Sequence, residues 1–335
     1  MVHLHISTRM ILVTGGAGFI GSNLHAALRA SGRDCIIVDW LGHEQKWRNL
    51  RHTPPSRVIT PPQLAEFLSR APRLEAVIHL GAISETTATD GDLVWQTNVE
   101  LSQQLWHWCA AHGTRFIYAS SAATYGNGAA GFADDMSIPA LQKLQPLNLY
   151  GWSKHAFDLW VAGQIAAGAP APPAWAGVKF FNVYGPNEYH KGKMISVVKV
   201  KHDEITAGGP VRLFKSDQPG LPDGAQQRDF IYIDDVIAAL LFLLTAPSIS
   251  GLYNLGTGLA RTYADLARAV CAANGLAPNI EYIDMPANLR GQYQSFTQAP
   301  MHRLRAAGFN HQFQTLEQGV GSYIQNFLRQ EDMYR

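Results

Sequence analysis

The run Thr14–Gly21, "TGGAGFIG", restricts this chain more than any other stretch. It follows the apolar segment "MILV" directly and opens into the helical pattern "IGSNLHAALRASG". Strand, glycine turn and helix in that order form a phosphate cradle. The glycines allow the tight turn, and backbone N–H groups at the helix start face a pyrophosphate. Gly16, Gly18 and Gly21 satisfy G-x-G-x-x-G, while Gly15, Gly18 and Gly21 satisfy a three-spaced variant. A second strand pattern, "DCIIVD", ends on Asp39, where a carboxylate meets an adenosine ribose. Such a carboxylate favours NAD over NADP. Lys46 and Arg48 follow it closely and suit a 2′-phosphate, so residue chemistry alone leaves that choice open.

The alternation continues with the strand patterns "EAVIHLGA" and "TRFIYASS" around a helical pattern from Leu93 to Ala111. Alternating β and α elements predict an α/β fold, a doubly wound parallel Rossmann sheet with helices on both faces. Ala166 to Gly177, rich in Ala, Pro and Gly, reads as a surface connection, and Lys215 to Gln227 as a second loop. "DFIYIDDVIAALLFLL", "GLYNLGTG" and helices near Thr262–Asn274 and Thr315–Arg329 complete the chain. No clean linker divides it. We expect a dinucleotide-binding lobe of residues 10–181 and 229–257 that exchanges segments with a smaller, mostly C-terminal α/β substrate-binding lobe of residues 182–228 and 258–335. Residues 1–9 read as an extension.

Composition removes several classes. Among 335 residues the formal net charge is +1, which offers no global field to nucleic acid or an anionic membrane. Cys35, Cys109 and Cys271 are too few and too far apart for a disulfide framework or a zinc site, and read as buried thiols. The extension "MVHLHISTR" has no apolar core, so it is no secretory signal. The longest strongly apolar run, Val236 to Ala246, is too short to span a bilayer and reads as a buried helix. These features place the protein in the cytoplasm, with no nucleic-acid or membrane partner and no metal.

The chemistry is carried by "YGWSK", which puts Tyr150 and Lys154 on one face of a helix. Tyrosine starts near a pKa of ~10, so a base role near neutrality needs a cationic environment. A neighbouring ammonium and an oxidised nicotinamide ring are suited to supply it. Upstream, "YASSAATYG" offers Ser120 and Ser121 at a strand end, where a hydroxyl can hydrogen-bond the reacting oxygen.

These residues resemble the extended short-chain dehydrogenase/reductase family. Within it, "GAISETTATDGD", "PLNLYGWSK", "FNVYGPNEYHKGKM", "RDFIYIDDV" and "GQYQSFTQA" run in the order seen in ADP-L-glycero-D-manno-heptose 6-epimerases, over about Met10 to the C-terminus. The resemblance implies a reaction. Hydride leaves C6″ of the ADP-heptose for a tightly held NADP, giving a transient 6″-ketone, and returns to the other face. The centre inverts with no net redox change, and the product serves the inner core of lipopolysaccharide.

Inversion requires the ketone to meet the hydride in two orientations, which calls for an acid/base group on each side. The resemblance assigns Tyr150 to one side and Lys191, in "HKGK", to the other, with Ser121 and Lys154 assisting. Lys191 then needs its pKa lowered from ~10.4, with Lys154 and the nicotinamide as expected causes. Cofactor contacts carry over to Gly15, Gly18, Phe19, Ile20, Gly21, Asp39, Trp40 and Lys46. They continue through Leu80, Gly81, Ala82, Ile83 and Ser84 to Thr97, Lys154, Val183 and Lys191. Substrate contacts carry over to Ser121, Asn182, Lys193, Phe214, Lys215, Ser216, Asp217, Arg228 and Tyr293. Arg228 suits the substrate's pyrophosphate, since a guanidinium fork binds phosphate bidentately. Its alternative is a surface arginine paired with Asp229. The resemblance also implies a homo-oligomer, a pentamer.

The chain departs from the family pattern in places. Lys193 stands where serine is common, Val200 replaces a histidine with His202 as a stand-in, and Thr97 replaces an asparagine beside Asn98. The loop from Asp217 to Gln227 is longer than usual. Rival readings are an epimerase for another nucleotide sugar (a GDP-heptose or a hexose C4 centre), and a non-catalytic NAD(P)-binding protein. A 4,6-dehydratase needs an acidic pair after the catalytic hydroxyl, where this chain has Ala122 and Ala123.

Overall fold

The computed structural model describes residues 10–42, 45–247, 249–286 and 295–335. The first part of the chain runs β1 (Met10–Thr14), α1 (Phe19–Ala30), β2 (Cys35–Val38), β3 (Arg57–Ile59), α2 (Leu64–Ser69), β4 (Leu74–His79) and α3 (Gly91–Trp95). A π-helical turn, Gln96–Glu100, joins α3 to α4 (Leu101–His112), so the predicted helix is one continuous rod with a bulge. β5 (Arg115–Ser121), α5 (Ile138–Leu141), α6 (Leu149–Ala166) and β6 (Trp175–Phe180) follow.

Side-chain alternation explains the sheet. In β1, Ile11 and Val13 enter one core and Leu12 the opposite one; in β2, Cys35 and Ile37 oppose Ile36 and Val38; in β4, Ala76 and Ile78 oppose Val77. A strand buried on both faces is what a parallel sheet between two helix layers demands. Fully burying each such aliphatic side chain stabilises the fold by about 1.5–3 kcal/mol. One face is covered by α1 through Leu24 and Leu28, the other by α4 and α6 through Leu105, Trp106, Phe157 and Val161.

The second part continues with β7 (Asn182–Tyr184), α7 (Val197–Thr206), β8 (Val211–Phe214), β9 (Gln227–Tyr232) and α8 (Ile233–Thr245). β10 (Ser250–Leu255), β11 (Ala260–Thr262), α9 (Tyr263–Ala273), β12 (Ile280–Ile283), α10 (His302–Ala306) and α11 (Leu316–Tyr323) complete it, the last extended by a π turn, Ile324–Leu328. The large sheet has the order β10-β6-β5-β4-β1-β2-β3 and is parallel throughout. Winding therefore reverses between β1 and β4, and ligands of such sheets lie in the crevice beyond the strand ends at that point.

Two small sheets, β11-β9-β7 and β12-β8, stand apart from the large one. The lobe boundary expected at residue 229 falls inside β9, which pairs with β7 and β11. The connection expected from Ala166 to Gly177 is shorter than its composition implies. Trp175, Ala176 and Gly177 are buried in β6 between β5 and β10, where Gly177 leaves room for the packed Tyr118 and Leu252 side chains. The three cysteines are buried and unpaired. Among the described residues, no helix is long and apolar enough to cross a membrane.

Candidate active site

A cavity of about 680 Å³ opens beyond the carboxyl ends of β1, β4 and β5. The glycine turn forms one end of it. A Cβ on Gly21 would stand 2.2 Å from the Gly15 carbonyl oxygen, so the turn closes only with hydrogen at that position. Gly15, Gly18, Phe19, Ile20 and Gly21 all line the cavity, and this cradle fits a dinucleotide.

Asp39, nearly buried, is already engaged. Its carboxylate accepts from the Ala17 N–H (2.9 Å), the Trp40 N–H (2.8 Å) and the Lys46 ammonium (2.6 Å). Its charge is thus matched by Lys46, which also lines the cavity, whereas Arg48 interacts with Tyr334. Trp40 is exposed and outside the lining. Leu80, Gly81, Ala82 and Ser84 form the opposite wall. Ile83 stands behind it, its N–H and carbonyl both bonded at 2.9 Å by the Asn98 side chain, which also donates to Ser153. Thr97 is half-buried and does not line the cavity. Its neighbour Asn98 is the residue that faces this wall, as the π turn holding both changes the helix face.

Tyr150 and Lys154 reach the cavity from the first turns of α6. Asn148 caps that helix through the Gly151 N–H (2.8 Å). Gly151 lets α6 approach the turn after β5, since a Cβ there would meet the Ala123 carbonyl oxygen at 2.8 Å. Ser121 sits in that turn, accepting from the Ala123 N–H (3.1 Å) and hydrogen-bonded to Tyr150. Ser120 is buried and donates to Asp158 (2.7 Å), so of the two serines only Ser121 presents its hydroxyl to Tyr150. Burial pushes the Tyr150 phenol up, the bond to Ser121 pulls it down, and Asp158 pushes it up again. Burial lowers Lys154 to about 8, with Asp158 opposing. The chain's own groups thus hold the Tyr150 phenol above its ordinary value.

Lys191 enters from a short turn, Tyr189–Met194, kinked at Gly192. Its ammonium lies 5.3 Å from the Phe19 ring centre, beside the glycine turn. Burial lowers its pKa and Glu188 opposes the shift. Lys154, expected as a cause, is not one: the same low-dielectric surroundings that help deprotonate Lys191 come from packing, not from a second ammonium. Glu188 is fully buried and accepts from the Ser196 N–H (2.7 Å), the Ser196 hydroxyl (2.6 Å) and the Tyr323 hydroxyl (3.0 Å). His190, absent from the sequence-based set, also lines the cavity and accepts from the Asn49 amide (3.1 Å). Burial, then Lys46 and Lys191, lower it to about 4.

Asn182, Val183 and Arg228 complete the wall. Arg228 is only 5% exposed, 5.6 Å from the Tyr263 ring centre, and Asp229 is spent on Thr257, Gly258 and Ala299. The surface-pair alternative for Arg228 is therefore not what forms. Lys193 is exposed and, with Phe214, Lys215, Ser216 and Asp217, lies outside the lining; Lys215 pairs with Asp284 (2.9 Å) and Ser216 with Asp223. His202 is buried against Asn274 and does not line the cavity. Tyr293 lies outside the described residues. Ala122 and Ala123 line the cavity after Ser121, and among the described lining residues Asp39 is the sole carboxylate.

The NAD dependent epimerase/dehydratase family matches residues 11–256. An ADP-L-glycero-D-manno-heptose-6-epimerase of Fusobacterium nucleatum is 45% identical over 335 residues, covering 97% of this chain and 100% of that protein. One from Nitratidesulfovibrio vulgaris is 44% identical over 331 residues, with 97% and 100% covered. The crystal structure of the Helicobacter pylori ADP-L-glycero-D-manno-heptose-6-epimerase superposes with a TM-score of 0.78 at 27% identity, over 97% of this chain and 98% of that one. The chain belongs to the NAD dependent epimerase/dehydratase family.

Proposed function

We propose, from that membership and the site's geometry, that the protein is an ADP-L-glycero-D-manno-heptose 6-epimerase. It converts ADP-D-glycero-D-manno-heptose to the L-glycero epimer, a building block for lipopolysaccharide. The observation that carries this reading is the convergence on one cavity of a dinucleotide cradle and two proton-transfer groups, Tyr150 and Lys191, from unrelated elements.

A nicotinamide cofactor, which the glycine turn and Lys46 would hold, would supply the hydride acceptor and donor and a positive charge in its oxidised form. The chain's own residues do the rest. Ser121 hydrogen-bonds the C6″ oxygen while Tyr150 takes its proton, and the Lys154 ammonium stabilises the phenolate. The resulting 6″-ketone turns over within the cavity. In the second orientation Lys191, its pKa lowered by burial, returns a proton to the oxygen as C6″ is reduced. Arg228 holds the pyrophosphate and Asn182 the sugar. Alanines at 122 and 123 offer no acid to expel water, which favours epimerisation over dehydration.

For the cofactor we favour NADP. The Asp39 carboxylate is occupied by the glycine turn and balanced by Lys46, which weakens its repulsion of a 2′-phosphate and leaves a cation beside it. Titration of cofactor-free protein should show tighter NADP than NAD, and the reverse order overturns this choice. The reaction itself is tested by incubating the protein with ADP-D-glycero-D-manno-heptose and reading the C6″ configuration by NMR. Conversion without added reductant is expected. No conversion by protein shown to carry its cofactor overturns the assignment in favour of another nucleotide sugar, with the exposed Lys193 and the long loop as its marks.

A further inference from the structure

A buried charge pair beneath α6 takes no part in the steps above. Asp158 stands one helical turn beyond Lys154 and is fully buried, as is Lys179 near the carboxyl end of β6. The Lys179 ammonium lies 2.6 Å from Asp158 Oδ2. Ser120 donates to the same oxygen (2.7 Å) and Tyr118 to Oδ1 (3.1 Å). Lys179 also donates to the Thr124 hydroxyl (2.7 Å), which in turn donates to the Ser121 carbonyl (2.8 Å). The pair therefore grips Ser121 from both sides, through the preceding side chain and through its own carbonyl.

Stability alone does not explain such a pair. Removing two charges from water costs as much as their attraction returns, and apolar residues of similar volume join a helix to a strand at least as well. Its placement does explain it. The charged and titratable groups that couple to Lys154 are Asp158 on its own helix and His79 at the end of β4. Burial, then Lys154, lowers His79 to about 3, so it adds no charge beside Lys154; burial lowers the adjacent His155 as well. Asp158 is the group that opposes loss of the Lys154 proton.

We propose that Asp158 and Lys179 are positioning residues for the reaction, fixing Ser121 against Tyr150 and keeping Lys154 cationic. The turnover readout rests on the epimerase reading above; the cofactor and lysine readouts do not. The test is the double variant Asp158→Asn with Lys179→Met, which removes both charges while keeping volume and leaving an amide for Ser120 and Tyr118.

It should bind cofactor as the wild type does and lose about 10- to 100-fold in kcat with KM little changed, because a small misplacement of reacting groups is felt at the transition state. The alkaline limb of its pH profile should move to lower pH, as Lys154 discharges earlier. Lys179→Arg, which keeps a cation on Asp158, should restore most of kcat. Wild-type kcat and an unmoved limb in the double variant would overturn the proposal. Should the double variant fail to fold, Thr124→Val cuts the link to the Ser121 carbonyl alone; an unchanged kcat there overturns the proposal equally. If the wild type itself leaves the heptose unchanged, the pH midpoint for acetylation of Lys154, read by mass spectrometry, decides. A midpoint in the double variant below that measured for the wild type supports the pair's role, and an equal one refutes it.

Discussion

The two groups proposed to transfer protons rest on opposite kinds of support. Tyr150 belongs to an 18-residue helix, capped by Asn148 and tied to the sheet through Asp158, which accepts from Ser120. Lys191 belongs to a six-residue 3₁₀ turn with a kink inside it, held by contacts to elements remote in the chain. Glu188 ties that turn to Tyr323 of α11, Tyr189 donates to the Met333 carbonyl (2.6 Å), and Asn187 bonds Ser22 of α1 (3.1 Å). Each lysine also has a neutral histidine beside it, His79 for Lys154 and His190 for Lys191, lowered chiefly by burial and further by that lysine's charge. On the proposed mechanism, these two supports let one cavity serve two faces of a carbon. Tyr150 is fixed by a long helix packed on the large sheet, and Lys191 by tertiary contacts from elements remote in the chain.

This contrast is most sharply tested at Tyr150. Tyr150→Phe should lower epimerisation by about 10² to 10⁴-fold while cofactor content and thermal stability stay near wild type, since the ring still packs on a rigid helix. Turnover and cofactor absorbance after purification measure both. A smaller but broader effect is expected at Glu188. Glu188→Ala strands the Ser196 and Tyr323 donors and should cost about 1–3 kcal/mol of stability per stranded buried group. Denaturant unfolding measures the cost, and turnover should fall alongside it because Lys191 is released. A variant as stable and active as the wild type would erase the distinction between the two scaffolds.

The smallest effect concerns pH. In the folded turn His190 sits near a pKa of about 4, against 6.5 when exposed. Below pH 6.5 the unfolded chain takes up a proton that the folded chain refuses, so this histidine's contribution to stability is lost progressively as pH falls towards 4. His190→Gln should therefore lose less stability than the wild type between pH 7 and pH 5. An NMR titration midpoint of His190 near 6.5 would contradict the burial and the two lysine charges assigned to it.

The cofactor end was legible because its determinants are contiguous. A strand, "TGGAGFIG", a helix and the later Asp39 each read out local backbone geometry, and Tyr150 and Lys154 share one helix turn. What escaped depends on distance or register. Asp158 and Lys179 are bonded across 21 positions, and only a lysine between apolar neighbours in "GVKFF" hinted at a buried partner. Asn98, not Thr97, faces the cofactor wall because a π turn shifts the helical register, which a 3.6-residue period does not foresee. The three-residue strands β3, β7 and β11 are too short to show an alternation. The segment Phe214–Asp217 lies outside the cavity's lining, held by pairs such as Lys215–Asp284 that no local pattern encodes.

The central claim is that inversion needs a second acid/base group, and that Lys191 is that group. The direct measurement is turnover of Lys191→Ala, carrying its cofactor, with ADP-D-glycero-D-manno-heptose beside the wild type. The account predicts a fall of about 10² to 10⁴-fold with the cofactor still bound. Near-wild-type turnover would contradict it and leave Tyr150 to serve both faces.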